Sequence, residues 1–195
     1  MRRTLRGAGG FTLAELLVVV ALLGLVMGAI FTLQQQGQLA YLVGAARVEV
    51  QQNARLGLDT MMSEIRLALP AAGTTQVVSA IDNACSTGAP PASGGGGSIT
   101  FTDQNSTVVT YQLVGAACAT SATGCELQRN GVPVVGGVQE LRIWCYNGSG
   151  ALNNTLAEIR EIRIQIRTRS ERSAQTGSAG DQHAVVEGRV RFRNI

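Results

Sequence analysis

The chain has 195 residues, with 16 basic and 13 acidic side chains and a formal net charge of +3. All the basic residues are arginine, and Arg2, Arg3 and Arg6 precede the first acidic residue, which leaves 13 arginines against 13 acids in the remainder. If the first ten residues are removed, the chain has no overall basic character that would indicate binding to nucleic acid. The length suffices for one modest globular domain beside a long N-terminal element.

A long apolar run follows the three arginines and the glycines at 7, 9 and 10. Between Phe11 and Leu33 the only ionisable side chain is Glu15. The run covers about 23 residues, which at ~1.5 Å per residue span a hydrocarbon core of about 30 Å, and the arginines then stay cytoplasmic. A carboxylate in such a span costs roughly 2.5–3.5 kcal/mol. Either Glu15 reaches water at the membrane edge, or it has a partner inside the membrane.

The residues from Gly10 to Leu17 resemble the prepilin signal of type IV pilins and type II secretion pseudopilins. The string reads Gly-Phe-Thr-Leu-Ala-Glu-Leu-Leu and leads directly into the apolar run. The resemblance implies that the prepilin peptidase, a membrane aspartyl enzyme, cuts between Gly10 and Phe11. Phe11 then becomes N-methylated, and the chain polymerises with other pilins through its N-terminal helix. Glu15 is expected to pair with the Phe11 amine of a neighbouring subunit, since a buried carboxylate is tolerated beside a buried cation.

The helical pattern continues well beyond the predicted membrane span. Apolar residues recur at steps of three and four, which marks one face of a helix, and Pro70 then ends it. The pattern predicts a continuous helix from about Phe11 to Leu69. Its apolar stripe consists of Leu42, Ala46, Val50, Ala54, Leu58, Met61, Met62, Ile65 and Leu69.

The end of this helix carries a second resemblance, to the minor pilin W and minor pseudopilin J group. An ordinary amphipathic helix with solvated charges is the alternative interpretation. A final strand that ends the chain near Arg193 and Asn194 is also similar to that group. The matching helix positions are Arg55, Leu58, Met62, Glu64, Ile65, Arg66 and Ala68.

Beyond Pro70 the sequence predicts an antiparallel sheet. Alternating apolar and polar residues are typical of half-buried strands, and Asn130-Gly131 predicts a tight turn. The 84–98 and 171–183 segments read as flexible loops. The fold class is therefore α+β and pilin-like, with a long N-terminal helix packed on an antiparallel sheet. The predicted strands are 77–81, 99–102, 107–114, 126–129, 132–135, 138–146, 161–169 and 186–193.

Four segments follow from this interpretation. Residues 1–10 are the leader peptide, 11–33 the transmembrane and assembly half of the helix, and 34–69 its amphipathic half. Residues 70–195 form a β-rich domain in the periplasm or outside the cell. The protein is thus expected in the inner membrane before assembly and in a filament afterwards.

Four cysteines, all beyond the membrane segment, predict disulfides on the exported side. Three connectivities are possible. Cys118 and Cys125 flank a short loop that they could close locally, in which case Cys85 and Cys145 form the second bridge. With one histidine and no Cys-x-x-Cys, no metal site and no cofactor are predicted.

The last two predicted strands carry arginines on alternate positions, which would merge into one patch if the strands pair. The favoured interpretation is a solvated face neutralised by nearby glutamates. A protein partner with an acidic surface is the second interpretation, and DNA is the third. The arginines are Arg163, Arg167, Arg169, Arg189, Arg191 and Arg193.

The sequence contains no recognisable catalytic motif. A nucleophile triad would need His183 and Asp181, which lie in a Gly/Ser-rich segment without a Gly-x-Ser-x-Gly elbow. Gly94–Gly97 lacks the residues of a phosphate loop. We therefore expect a non-enzymatic minor pilin or minor pseudopilin, from a type IV pilus or a type II secretion filament and acting in the tip complex that primes assembly. The alternative is a membrane-anchored exported domain that binds a ligand, such as DNA during uptake.

Overall fold

The computed structural model describes residues 10–70, 72–82, 85, 97–121, 124–153, 155–171 and 181–193. The chain divides into two compact units, residues 1–42 and residues 43–195. The predicted leader apart from Gly10, most of the 84–98 and 171–183 loops, and Asn194 lie outside the described residues.

One helix, α1, runs from Leu13 to Arg66. It ends three residues before the predicted Leu69, because Leu69 leaves the helix to join the sheet. The Leu69 N–H donates to the carbonyl of Thr102 at 2.9 Å. Pro70 favours this change, since the residue before a proline is biased away from helical geometry.

Seven strands form a single antiparallel sheet in chain order, from β1 at one edge to β7 at the other. The strands differ threefold in length, from five to fifteen residues. A short 3-10 turn at Leu156–Glu158 lies between β5 and β6. The strands are β1 (Val78–Asp82), β2 (Ser98–Thr102), β3 (Val108–Val114), β4 (Cys125–Arg129), β5 (Val132–Tyr146), β6 (Glu161–Arg169) and β7 (His183–Arg191).

Three predicted strands were wrong in their boundaries by more than one residue. The predicted strands 132–135 and 138–146 are one continuous β5, because the left-handed Gly137 (φ 69°) produces a bulge instead of a break. The last strand begins at His183 and ends at Arg191, instead of spanning 186–193. Its start follows the hairpin register, in which His183 pairs with Arg169 at the end of β6. The tight turn at Asn130-Gly131 is confirmed, with positive φ at both residues.

The core lies between the second half of α1 and one face of the sheet. Six residues of the predicted stripe are buried, Met62 and Leu69 are half-buried, and Leu42 is exposed. The buried six are Ala46, Val50, Ala54, Leu58, Met61 and Ile65. Alternation in the strands is also confirmed, because β6 buries its isoleucines and β5 buries Leu141, Ile143 and Cys145. One buried polar contact crosses the interface: the Thr168 hydroxyl donates to the Val50 carbonyl at 2.8 Å. The helical residues of this core are Ala46, Val50, Ala54, Gly57, Leu58, Met61 and Ile65.

Gly57 allows the helix to approach the sheet closely. A Cβ atom at this position would lie 3.1 Å from Val135 Cγ1 and 3.3 Å from both Ile166 Cδ1 and Leu127 Cδ2. Gly188 on β7 has the complementary role, since a Cβ there would meet Met62 and lie 3.2 Å from Leu58 Cδ2. A side chain at Gly57 would have to displace three side chains of the sheet, and one at Gly188 would have to displace the end of Met62.

We expect Gly57→Leu to lower the free energy of unfolding by about 1–3 kcal/mol, because it overpacks a closed interface. Gly44→Leu is the matched control on the same helix, since no atom lies within 4 Å of a Cβ at Gly44. That control should gain up to about 1 kcal/mol from helix propensity. Thermal unfolding of the detergent-solubilised chain measures both, and equal stabilities would contradict the packing role of Gly57.

Candidate functional site

The first turn of α1 is closed by a reciprocal pair of side chains. Thr12 precedes the helix, and its backbone N–H and hydroxyl donate to Glu15 Oε2 at 2.9 Å and 3.0 Å. In return the Glu15 N–H donates to the Thr12 hydroxyl at 3.3 Å. This arrangement is a capping box, which satisfies main-chain donors that a helix start otherwise leaves open.

Thr12 was missed by the sequence interpretation, although a signal for it exists. Thr12-Leu13-Ala14-Glu15 has the Thr-x-x-Glu spacing of a capping box directly before an apolar run. The pair fixes the start of the helix just after Phe11. Gly10 and Phe11 therefore lie outside the helix, and Phe11 is 84 % exposed.

Between Leu16 and Leu33 the first unit presents an almost entirely apolar helix surface on all sides. Every described residue from Gly10 to Leu42 is exposed, including the leucines and valines of the predicted span. By length and composition this part of α1 is able to cross a membrane. An apolar surface of this kind requires lipid or other helices around it.

The other end of α1 is anchored to the sheet through Glu64. The Tyr111 hydroxyl donates to Glu64 Oε2 at 2.9 Å, and Arg129 Nε donates to both carboxylate oxygens at 3.0 Å. Burial and the neighbouring carboxylate raise the pKa of Tyr111 above its ordinary value. Sequence spacing gave no sign of Tyr111 or Arg129, because both lie far from Glu64 along the chain. The other two charged residues of the predicted pattern, Arg55 and Arg66, are exposed.

Of the three possible connectivities, the structure has the one in which Cys118 and Cys125 close their short loop. Cys118 is bonded to Cys125, and Cys85 is bonded to Cys145. All four residues are buried. The second bridge joins the segment after β1 to β5, across a sequence separation of 60 residues.

The six arginines of the predicted patch do not share one environment. Arg169 is buried and paired with Asp181 at 2.8 Å. Arg163 binds Glu187 through two bonds of 2.6 Å, which hold the pKa of Glu187 below its usual value, and Arg189 pairs with Glu161. The remaining three, Arg167, Arg191 and Arg193, are exposed and have no ion pair among the described residues.

The two aromatic residues of β5 are covered by arginines from the neighbouring strands. Arg163 lies over the Trp144 ring at 4.9 Å, and Arg189 lies over the Tyr146 ring at 4.6 Å. Stacking and ion pairing together fix both guanidinium groups. One face of each ring is therefore occupied by an arginine.

His183 belongs to β7, which corrects the expectation of a loop histidine. Its Nε2 lies 3.1 Å from Asp181 Oδ1, and its Nδ1 lies 3.1 Å from Gln139 Oε1. Gln139 and Arg169 also donate to the carbonyls of Ala119 and Ser121, within the loop that Cys118 and Cys125 close. The histidine is thus part of a network that holds this loop, and no serine hydroxyl is recorded at its ring within the described chain.

The fold and these sites define a pilin-like protein: an apolar N-terminal helix whose second half packs on an antiparallel sheet. A family model for the prokaryotic N-terminal methylation motif matches residues 5–31. This match supports the type IV pilin and pseudopilin family, whose members are in general structural and non-enzymatic. With the apolar helix, it fits a chain that is anchored in the membrane before processing and joins a filament afterwards. Comparisons with curated proteins and with solved structures gave no match.

The raised pKa of Tyr111 predicts a loss of stability in alkali. The unfolded chain releases the phenol proton near pH 10.0, whereas the folded chain retains it to higher pH. The associated stabilisation is therefore fully present below pH 10.0 and is lost as the pH rises above it. Urea unfolding at several pH values should show a steeper alkaline decline for the wild type than for Tyr111→Phe. Parallel curves would contradict the contact with Glu64.

Proposed function

We propose that this protein is a minor pilin or minor pseudopilin, a structural subunit of a type IV pilus or a type II secretion filament. Within the filament it works in the tip complex that primes assembly. The observation that carries the proposal is the methylation motif at residues 5–31, which runs into a helix that is apolar and exposed on all sides. Such a surface suits storage in the membrane and then packing against the helices of other subunits.

The peptide bond between Gly10 and Phe11 is the proposed cleavage site, with residues 1–10 as the leader. A peptidase needs extended, accessible backbone. Gly10 and Phe11 meet this need because the capping box starts the helix only after them. Phe11 would then carry the methylated amine.

Glu15 is the proposed assembly residue. One of its carboxylate oxygens, Oε2, is engaged by Thr12, whereas Oε1 has no recorded partner in the described part of the chain. A Phe11 amine from an adjacent subunit would supply the missing cation, and in a dry environment such a pair fixes the register of the two helices.

Two features support a minor subunit of the W/J-like group. The pattern from Arg55 to Ala68 resembles that group, and its Glu64 anchors the helix to β3 and β4. The first proline of the chain is Pro70, so the spanning helix lacks the proline that major pilins commonly carry. We propose residues 11–33 as the membrane and assembly half, 34–69 as the amphipathic half, and 70–195 as the exported domain.

Mass spectrometry of the protein purified from its native host tests the processing step. The mature chain should begin at residue 11 with an N-methylated phenylalanine. An intact Met1, or a cut beyond Ala29 by ordinary signal peptidase, would contradict the pilin assignment and favour an anchored binding domain.

Two substitutions at Glu15 separate its two roles. Glu15→Gln keeps a capping oxygen at this position but removes the charge, whereas Glu15→Ala removes both. We expect both variants to insert into the membrane and both to lose assembly, by roughly tenfold or more in the filament-incorporated fraction, because the amine requires a charged partner. Asp59→Asn, at an exposed acid on the same helix, is the control and should assemble normally.

Incorporation is measured as the fraction of the subunit in sheared filaments, or as secretion in a type II system. Normal assembly of Glu15→Gln beside failure of Glu15→Ala would show that Glu15 acts through the helix cap alone. Normal assembly of both would remove Glu15 from the mechanism.

A further inference from the structure

We propose that the open edge of β7 docks an extended, acidic segment of a partner protein, which pairs with β7 as an eighth strand. The inference concerns the sheet domain and does not depend on leader cleavage or on helix packing. An experiment can therefore contradict the docking proposal without contradicting the proposed pilin function, and the reverse also holds. In a filament, the segment would come from a neighbouring subunit.

The hydrogen bonds at its two ends show which residues of β7 face outwards. The Ser170 N–H donates to the Gln182 carbonyl, and the Phe192 N–H donates to the Arg160 carbonyl, each at 3.1 Å. Bonding alternates along an antiparallel pair, so the even-numbered residues between these ends face β6. The main-chain N–H and C=O groups of residues 183, 185, 187, 189 and 191 consequently point to the open edge.

β7 suits strand addition better than the opposite edge does. It has nine residues and pairs with β6 without a register shift. β1 has five residues and a bulge between Val78 and Ala80. Within the described chain, β7 has a strand on one side only. A long, regular, unpaired edge is a template for another strand.

The charges at this edge favour an acidic partner. Glu187, the one acid on the outward side of β7, is already neutralised by Arg163. Arg191 and Arg193 at one end, and Arg167 beside the other end, are exposed without an ion pair in the described residues. The edge therefore carries a local positive surplus, although the chain beyond the leader is neutral.

The register of β6 and β7 gives the distance between the exposed arginines, which acidic side chains of the partner should match. Arg167 lies opposite Val185, and Arg191 lies six residues further along β7. Six residues of strand span about 20 Å. We therefore infer a segment with acidic side chains near both ends, about 20 Å apart. Arg163 and Arg189 already stack on Trp144 and Tyr146 in the unbound chain. These two arginine side chains would therefore lose little conformational entropy when the segment binds.

A protein segment fits this edge better than a nucleic acid does. The outward N–H and C=O groups alternate along the strand, and only another peptide backbone offers the complementary ladder. DNA would use the arginines alone and would ignore the main chain of β7. A variant that blocks main-chain pairing at β7 therefore distinguishes a peptide from DNA.

The probe is a labelled synthetic peptide of about nine residues that alternates glutamate and valine, with a lysine–valine peptide as its charge control. Binding to the full-length chain in detergent micelles is followed by fluorescence anisotropy. Hydrogen exchange then shows whether the amides of β7 become protected. We expect the acidic peptide to bind at least tenfold more tightly than the basic one and to protect β7.

Val185→Pro tests the main-chain contact. Val185 is 57 % exposed and its N–H faces the open edge, so proline there removes no bond to β6. Val185→Thr keeps the N–H and the side-chain shape as the matched control. We expect Val185→Pro to weaken peptide binding about tenfold and Val185→Thr to leave it unchanged.

Arg191→Glu tests the charge without touching the backbone, and exposed Arg55→Glu on α1 is its control. The first should weaken binding about tenfold, with a reduced salt dependence, and the second should have no effect. Full binding by both Val185→Pro and Arg191→Glu, or no binding of the acidic peptide, would overturn the proposal. So would self-association that Val185→Pro abolishes, or tighter binding of duplex DNA than of the peptide.

Discussion

The contact between the second half of α1 and the concave run of isoleucines and valines is the interaction on which the rest of the structure depends. Gly57 and Gly188 let the two layers approach, and the buried Thr168 hydroxyl donates to the Val50 carbonyl of the helix. Because the sheet covers one face of the helix from Ala46 onwards, it also fixes which helix residues face outwards. Glu64 and its partners then hold the end of the helix in place.

The first half of the helix has the opposite character. From Leu16 to Leu33 it is almost entirely apolar and exposed, and such a surface is stable when lipid or other helices surround it. The capping box of Thr12 and Glu15 gives this segment a defined start in any surroundings, because its bonds are internal to the first turn. A single carboxylate thus serves the helix and remains available to a partner.

The outer face of the sheet shows how neutral composition conceals a local surplus of charge. Arg163 and Arg189 are engaged by ion pairs and aromatic stacking, and Arg169 is buried in an ion pair with Asp181. Among the described residues, three exposed arginines without an ion pair remain near the edge of β7. These arginines give the edge of β7 a local positive charge.

The sequence by itself determined the local features: the motif at Gly10, Phe11 and Glu15, the helix with its apolar stripe, and most strands. Each of these depends on neighbouring residues and on a regular period, which a sequence displays directly. Tertiary structure decided the exit of Leu69 into the sheet, the bulge that joins β5, and the start of β7 at His183, because strand pairing set these boundaries. It also decided the partners of Glu64 and the division of the six arginines. Those contacts join residues far apart in the chain, and no spacing rule connects them.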